Sequence, residues 1–284
     1  MNDVVNSGMR EFWNDAGGRM WVNHQSIIEA SMAPLGQKAM NALTMTEGER
    51  VLDIGCGCGD TTFEIAQRVG SNGGVFGIDI SEMIVAAAQK NIAITQQRNV
   101  SFECVDAQTY QFQMNTFDVV FSRFGVMFFD DPIAAFENIR KSLVPDGRMA
   151  FVCWQPVKDI EWISVPLEIV GRYATLPPPS PPETPGGFSF GDASRVSHIL
   201  SSAGFVDIVI EPFDTKINIG VDLDEALTFL THIGPAGTVL NNHDINSKTR
   251  ANFTENLRTT LEAYQTSRGV ELSAATWIVT ARNS

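Results

Sequence analysis

The stretch Val51-Leu-Asp-Ile-Gly-Cys-Gly-Cys-Gly-Asp60 decides the fold, because an apolar run of strand length leads directly into a glycine-rich turn. Glycines in such a turn let the backbone approach a ligand and adopt positive φ, while the helix that follows presents free N–H groups. In an open parallel sheet this turn lies at the carboxyl ends of the strands, where ligands bind. The stretch therefore predicts a ligand-binding loop after the first strand of an α/β sheet.

Asp60 separates two ligands that the loop could hold. The dinucleotide fingerprint G-x-G-x-x-G, begun at Gly55, requires a third glycine at position 60, where the chain has aspartate. The Asp60 carboxylate would repel a pyrophosphate at the start of the helix. Asp79 lies 20 residues after Gly59, where an acidic residue can bind both hydroxyls of an adenosine ribose. A nicotinamide-dependent oxidoreductase is therefore the less favoured alternative.

Apolar runs of strand length alternate with helical patterns over residues 50–154, which predicts βαβ units and a parallel sheet. We expect helices to begin at the N-cap residues Ser81, Asp131 and Asp192, and at a capping box that starts at Thr61. The predicted strands cover residues 50–54, 75–79, 100–105, 117–122, 148–154, 205–210 and 274–281.

The domain organisation follows from where this alternation breaks. Residues 1–45 have helical periodicity and predict a helical cap, and residues 46–284 form one α/β domain. Two insertions interrupt that domain, at about residues 155–190 and 221–268. The first ends in the proline-rich segment 176–187, which predicts an extended loop.

Composition and charge restrict the partners of the protein. The 284 residues carry 33 acidic and 20 basic side chains, a net charge of −13, which disfavours a nucleic-acid partner because such binders neutralise phosphates. No apolar run is long enough for a membrane span, and the first residues lack the pattern of a secretory signal. The four cysteines lack metal-ligand spacing and are typical of a reduced compartment. We expect a cytoplasmic protein without a metal.

The motif series resembles a known family. Val51–Asp60, Gly77-Ile-Asp-Ile-Ser81, Asp106-Ala107 and the segment from Phe117 to Phe124 are similar to the motifs of class I S-adenosylmethionine-dependent methyltransferases, close to the ubiquinone/menaquinone-biosynthesis type and related small-molecule enzymes. The resemblance spans about residues 45–155. It implies a Rossmann-like, mostly parallel seven-stranded sheet in the order 3-2-1-4-5-7-6, with the last strand antiparallel and helices on both faces.

The resemblance also implies cofactor contacts, here to S-adenosylmethionine and its product S-adenosylhomocysteine. The methionine part would lie along Asp53 and the loop that contains Gly55, Cys56, Gly57 and Gly59. Asp79 would bind the ribose, and the adenine would contact Ile80, Met83, Asp106 and Ala107. Ser122, Arg123 and Phe124 would lie near the sulfonium, and Trp21 and Gln25 of the cap would close over the cofactor.

The predicted function is methyl transfer to a small apolar or aromatic acceptor, on O, N or C, under a lid formed by the cap and the insertions. The chemistry needs alignment and exclusion of water more than a strong base, so no catalytic residue is assigned. Of the four histidines, His24 and His232 are the weak candidates, ahead of His198 and His243. The oligomeric state is not predicted.

Two further alternatives are considered. A methyltransferase of nucleobase amino groups would carry Asn/Asp-Pro-Pro-aromatic after the fourth strand, where this chain has Ser122-Arg-Phe-Gly125. A non-catalytic module that binds S-adenosylmethionine would keep Asp79 but would need no lid.

Overall fold

Strand β1 (Arg50–Ile54) lies in the middle of a sheet that includes every predicted strand. The structure, a computed structural model, describes residues 4–241 and 245–284. Its strand order is β3-β2-β1-β4-β5-β8-β6, and a two-residue strand β7 pairs with β8 outside this path. The other strands are β2 (Gly74–Asp79), β3 (Val100–Cys104), β4 (Phe117–Arg123), β5 (Leu143–Trp154), β6 (Phe205–Gly220), β7 (Gln265–Thr266) and β8 (Gly269–Asn283).

The predicted order is confirmed, with β8 in the place of the predicted seventh strand. Strands β1 to β5 pair in parallel, whereas β8 runs antiparallel to both β5 and β6. The central strands are covered on both faces, and their residues Val51, Leu52, Val119 and Val120 are fully buried. Since β1 lies between β2 and β4, the winding direction reverses beside β1, and a crevice forms at its carboxyl end.

Helices on both faces follow the predicted starts, with one correction. Ser81, Asp131 and Asp192 each accept a backbone N–H at the start of a helix, as expected. The predicted capping box at Thr61 is wrong, because the helix begins at Asp60, one residue earlier. The helices of the sheet domain are α4 (Asp60–Val69), α5 (Glu82–Thr95), α6 (Pro132–Ser142) and α8 (Ala193–Ser202).

The predicted cap consists of three helices, α1 (Ser7–Asn14), α2 (Ala16–Asn23) and α3 (Gln25–Ala42). Helix α3 is the part that joins the core. Its side chains Ile28, Leu35 and Met40 are at most 1% exposed and pack into the main hydrophobic cluster of the sheet. The burial of these apolar side chains holds the cap over one end of the sheet.

The insertions are helical, and the strands beside the second one are longer than predicted. Strand β6 extends to Gly220 because its alternating side chains suit an edge strand with one solvated face, which also tolerates Pro212. The first insertion carries α7 (Glu161–Val170), and the second carries α9 (Leu223–His232), α10 (Gly234–Leu240) and α11 (Ser247–Leu261). Across the residues described, no helix is both long and apolar enough to cross a membrane.

Candidate active site

The glycine loop after β1 has the backbone that its sequence predicts. Gly55, Gly57 and Gly59 all have positive φ, at 67°, 58° and 95°. A Cβ at Gly55 would lie 2.6 Å from the Cα of Gly125, so the loop can pass the end of β4 only with glycine there. The N–H of Gly55 donates to the Ile78 carbonyl of β2 at 2.8 Å, which fixes the loop at the mouth of the crevice.

Asp79 ends β2 directly opposite this loop. Its carboxylate accepts the N–H of Gly57 at 3.2 Å and that of Ser81 at 3.0 Å. Burial raises the pKa of Asp79 to about 6, against the opposing effect of these hydrogen bonds. The carboxylate lies in the wall of the main cavity, where it can accept further hydrogen bonds from a ligand.

Asp53 lies beneath the loop and is fully buried. One carboxylate oxygen, Oδ2, accepts the hydroxyls of Thr61 at 2.7 Å and Thr62 at 2.6 Å, which is why these residues do not form the predicted capping box. The other oxygen, Oδ1, has no hydrogen-bond partner among the described residues. Burial raises the pKa of Asp53, while the two hydroxyls and the Arg123 charge oppose that rise. Asp53 supports the loop from below and does not line the cavity.

The cap approaches the loop through its second and third helices. Trp21 lines the cavity, and its indole Nε1 lies 3.1 Å from where a Cβ of Gly57 would be. Gln25, the other candidate from the cap, donates its amide to both oxygens of Asp60 at 3.0 Å and does not line the cavity. Gln25 therefore anchors α3 to the start of α4.

One large cavity opens at the carboxyl ends of β1, β2, β4 and β5. Its empty volume, which includes open solvent at the mouth, is about 1070 Å³. One half, which we call the cofactor end, is lined by Asn6, Trp13, Trp21, Gly55, Gly57, Asp79, Ile80, Ile84, Val105, Asp106 and Ala107. The other half, which we call the acceptor chamber, is lined by Ile28, Met32, Arg123, Phe124, Trp154, Trp162 and Ile233.

Asn6 closes the cofactor end, and sequence reasoning missed it. Its side-chain Nδ2 donates to both oxygens of Asp106 at 2.9 Å, and its side-chain Oδ1 accepts the N–H of Asp130 at 2.6 Å. Asn6 is 1% exposed and has a φ of 56°, which asparagine tolerates better than most residues. An asparagine before a helix suggests an N-cap, but its side chain caps no N–H of α1. No local pattern indicates a partner that lies 100 residues away.

Aromatic rings form the acceptor chamber. Phe124, at the end of β4, stacks on Trp154 of β5 with ring centroids 4.1 Å apart and planes 12° apart. Trp162 of α7 lies edge-on to Trp154 at 5.4 Å and brings the first insertion to the chamber. Ile233, between α9 and α10, adds the second insertion, and Met32 adds the cap. The chamber is therefore built by segments that are distant in sequence.

Arg123 is the one charged side chain of the acceptor chamber among the described residues. Its guanidinium donates to Glu29 of α3 at 2.6 Å, and the side chain is 9% exposed. It passes so close to Gly36 that a Cβ there would lie 2.9 Å from its Cδ. The ion pair neutralises the charge of Arg123, so the chamber stays largely apolar.

Besides Asp53 and Gln25, four more predicted cofactor residues lie outside the cavity wall. The Ser122 hydroxyl donates to the Ile54 carbonyl at 2.7 Å and accepts the N–H of Gly125, so it joins β4 to the loop. Met83 packs beside Gly18 of the cap, and the next residue, Ile84, faces the cavity instead. Cys56 and Gly59 are also absent from the wall; Cys56 is buried, and Gly59 lies against Phe63 and Phe102.

The two histidine candidates meet each other rather than the cavity. The rings of His24, between α2 and α3, and His232, at the end of α9, have centroids 5.0 Å apart, and neither lines the cavity. Burial, and after it the charge of His232, lowers the pKa of His24. His243 lies outside the described residues. Within those residues, no three His, Cys, Asp or Glu side chains are grouped to hold a metal.

Comparison with known proteins finds a family model that matches the segment with this geometry. Residues 45–159, which carry the loop, Asp79 and Asp106, match the family model described as a methyltransferase domain. The matched segment begins before β1 and ends before α7. The cap and both insertions, which supply much of the acceptor chamber, lie outside the matched segment.

Curated relatives support this family. The aklanonic acid methyltransferase DauC of Streptomyces sp. (strain C5) is 34% identical over 152 residues, which are 54% of this chain and 64% of that protein. The nocamycin O-methyltransferase of Saccharothrix syringae is 30% identical over 183 residues, 62% of this chain and 65% of that protein. The chain thus spans less than two thirds of the length of these relatives.

Solved structures confirm the fold. The YcgJ protein from Bacillus subtilis superimposes with a TM-score of 0.57 at 17% identity, over 88% of this chain and 98% of that one. A phosphoethanolamine N-methyltransferase 2 from Haemonchus contortus, in complex with S-adenosylhomocysteine, gives 0.58 at 18% identity, over 95% of this chain and 60% of that one. These matches confirm the predicted fold class.

Proposed function

We propose that this chain binds S-adenosylmethionine at the cofactor end of the cavity and transfers its methyl group to a small molecule in the acceptor chamber. One observation carries the proposal: the Asp79 carboxylate faces the cavity beside the Gly55–Gly59 loop, where an adenosine ribose would lie. Asp60 at the start of α4 adds a second argument, because its carboxylate disfavours the pyrophosphate of a nicotinamide cofactor.

The residues of the cofactor end suit the parts of that cofactor. The Asp79 carboxylate would accept both ribose hydroxyls, and Asp106 would accept the adenine amino group at an acceptor site that its bonds to Asn6 leave free. Ile80 and Ala107 are in the wall and would pack on the adenine. The free oxygen of buried Asp53 beneath the loop favours a nearby ammonium, such as that of the methionine part.

Catalysis would rest on position and on the exclusion of water. When bound, S-adenosylmethionine would supply an activated methyl group on a positively charged sulfur, and an electron pair of the acceptor atom would form the new bond to that methyl as its bond to sulfur breaks. The stacked rings of Phe124 and Trp154 offer aromatic faces to a cation at the end of β4. The cap and α7 cover the chamber, which keeps water from the reacting atoms.

The shape and lining of the chamber favour an apolar or aromatic acceptor. Apolar and aromatic side chains cover the chamber, and the charge of Arg123 is paired with Glu29. The two relatives named for aklanonic acid and for nocamycin support a small-molecule acceptor. The net charge of −13 argues against a nucleic-acid substrate, and four cysteines without disulfides suit a cytoplasmic location.

Two measurements test this proposal. Calorimetric titration with S-adenosylhomocysteine should show binding, while NADH should show none; the reverse result would favour the oxidoreductase. Incubation with methyl-labelled S-adenosylmethionine and a metabolite extract should then move the label to one or a few extract compounds. Binding without any label transfer would indicate a non-catalytic module, although a chamber that the protein's own side chains leave unfilled argues against one.

A further inference from the structure

Trp162, a residue that lines the acceptor chamber, carries a buried hydrogen-bond donor that lacks a partner. Trp162, in the first turn of α7, is 4% exposed, and its indole N–H meets no hydrogen-bond acceptor in the described part of the chain. Buried tryptophan N–H groups normally have a partner within the protein, because folding removes the water molecules that accepted their hydrogen bonds. A buried donor without one therefore needs an explanation.

Another tryptophan of this fold has a hydrogen-bond acceptor for its indole N–H. Trp277 of β8 donates its Nε1–H to the carbonyl of Gly191 at 2.9 Å. Trp277 does not line the cavity, whereas Trp162 does. The unpartnered donor thus belongs to the tryptophan that faces the acceptor chamber.

The neighbours of Trp162 cannot supply the missing acceptor. Its ring packs edge-on against Trp154 at 5.4 Å and against Phe229 at 5.5 Å. Its Cζ3 lies 3.1 Å from where a Cβ of Gly234 would be. A bridging water is also disfavoured, because a buried water needs two to four polar partners and these rings offer at most the indole N–H of Trp154.

We propose that the Trp162 N–H is a specificity-determining donor, kept for an oxygen atom of the acceptor, and that the acceptor is an aromatic or conjugated ring with a carbonyl or phenolic oxygen. The indole N–H only donates, so it selects a lone pair and disfavours an ammonium group at this position. The aromatic wall selects the flat ring that carries the oxygen. This inference rests on the proposed function, because it takes the chamber to be the acceptor site.

The selection of an oxygen would be strong, because a buried N–H without an acceptor costs free energy. A site that buries a polar group for one substrate atom rejects the analogue that lacks that atom, since the group is then left unpaired. Trp154 connects the ring of Trp162 to that of Phe124 at the end of β4. The donor would therefore orient the acceptor ring from the end of the chamber away from the cofactor.

A pair of matched probes tests the donor. The ketone 1-tetralone and the hydrocarbon tetralin share one ring skeleton and differ in a single carbonyl oxygen. With the protein saturated with S-adenosylhomocysteine, calorimetry should show 1-tetralone binding about tenfold more tightly than tetralin, as one hydrogen bond implies. Trp162→Phe, which keeps a ring and removes the N–H, should bind both probes equally and leave the affinity for S-adenosylhomocysteine unchanged.

Indole resonances provide a readout that does not depend on affinity. The nitrogen-15 spectrum has one indole signal for each of the five tryptophans, and the signal absent from Trp162→Phe identifies Trp162. That signal should move downfield with 1-tetralone and much less with tetralin. The matched control Trp277→Phe should keep the tenfold preference, because its indole has a partner within the fold.

Each outcome bears on one of the two proposals. A wild-type protein that binds 1-tetralone no better than tetralin, or that binds neither, overturns the donor, as does a Trp162→Phe variant that keeps the preference. If S-adenosylhomocysteine itself does not bind, the proposed function fails, and the same probes on the unliganded protein still test the donor. If Trp162→Phe loses the preference for 1-tetralone over tetralin and keeps its affinity for S-adenosylhomocysteine, the result supports Trp162 as the specificity-determining donor.

Discussion

The cofactor end and the acceptor chamber share one cavity but are built in different ways. At the cofactor end, the polar groups already have partners: Asp79 accepts two backbone N–H groups and Asp106 accepts the amide of Asn6. The acceptor chamber has aromatic rings, one ion pair and a donor without a partner. The cofactor end is built by the strand ends and the cap, whereas the acceptor chamber also needs both insertions. Recognition of the cofactor and recognition of the methyl acceptor should therefore be separable by mutation.

The largest separation is expected from filling the acceptor chamber. Ile233→Trp places a large ring in the chamber wall, next to Trp162 and far from Asp79. Methyl transfer to the compound identified in the extract should fall at least about 100-fold, because a displaced acceptor loses its alignment. Affinity for S-adenosylhomocysteine, measured by calorimetry, should change less than about threefold.

A surface substitution in the same insertion provides the control for that variant. Val221→Trp adds the same ring at a site that is 75% exposed, and it should leave both transfer and cofactor binding unchanged. Equal transfer by Ile233→Trp and the wild type would show that the acceptor does not occupy the chamber.

The cofactor end should respond to pH through Asp79. Binding uses the carboxylate, and the pKa of Asp79 is raised to about 6 in the unliganded protein. Affinity for S-adenosylhomocysteine should therefore be constant above pH 7 and fall toward tenfold per pH unit below about pH 6, where a proton must be lost on binding. Asp79→Asn should bind weakly and without this dependence. The same slope in Asp79→Asn would assign the titration to another group.

Asn6 should control how fast the cofactor leaves. Asn6→Gly keeps the positive φ but removes the amide that joins the cap to Asp106 and Asp130. We expect S-adenosylhomocysteine to dissociate about fivefold faster in stopped-flow fluorescence, since hydrogen bonds to charged groups are among the stronger ones. Asn115→Gly, an exposed residue with a φ of 50°, is the matched control and should have no effect.

The histidine pair should have the smallest effect. His24 and His232 contact each other and stay outside the cavity wall, so neither can take a proton from an acceptor in the chamber. His24→Gln and His232→Gln should each change the rate of methyl transfer less than about twofold, with the same pH profile. A hundredfold loss in either variant would restore the general-base hypothesis.

The contrast between the two halves also explains what could be predicted. Strands β1 to β5 and the Gly55–Gly59 loop follow from local patterns, because each turn, apolar run and N-cap lies within a few residues. The loop and Asp79 were found in this way. Met83 was predicted to contact the cofactor, but its neighbour Ile84 lines the cavity instead. Adjacent residues of helix α5 point to different faces, and the sequence pattern does not decide which of the two faces the cavity.

The parts that could not be predicted depend on distant contacts. The clamp of Asn6 on Asp106 joins residues 100 positions apart, and the length of β6 depends on its pairing with β8. Polar residues and Pro212 made β6 look shorter, although an edge strand accepts both. The acceptor chamber combines cap, strand ends and both insertions, so its lining emerges only from tertiary packing.

The most direct test of the account is the affinity of Asp79→Ala for S-adenosylhomocysteine, measured by calorimetry at pH 7.5 beside the wild type. Asp159→Ala, an exposed aspartate in the first insertion, is the control and should bind like the wild type. Removal of the Asp79 carboxylate should weaken binding at least about 100-fold, because two charge-assisted hydrogen bonds to the ribose are lost. Unchanged affinity in Asp79→Ala would contradict the assignment of the cofactor end, and with it the proposed function.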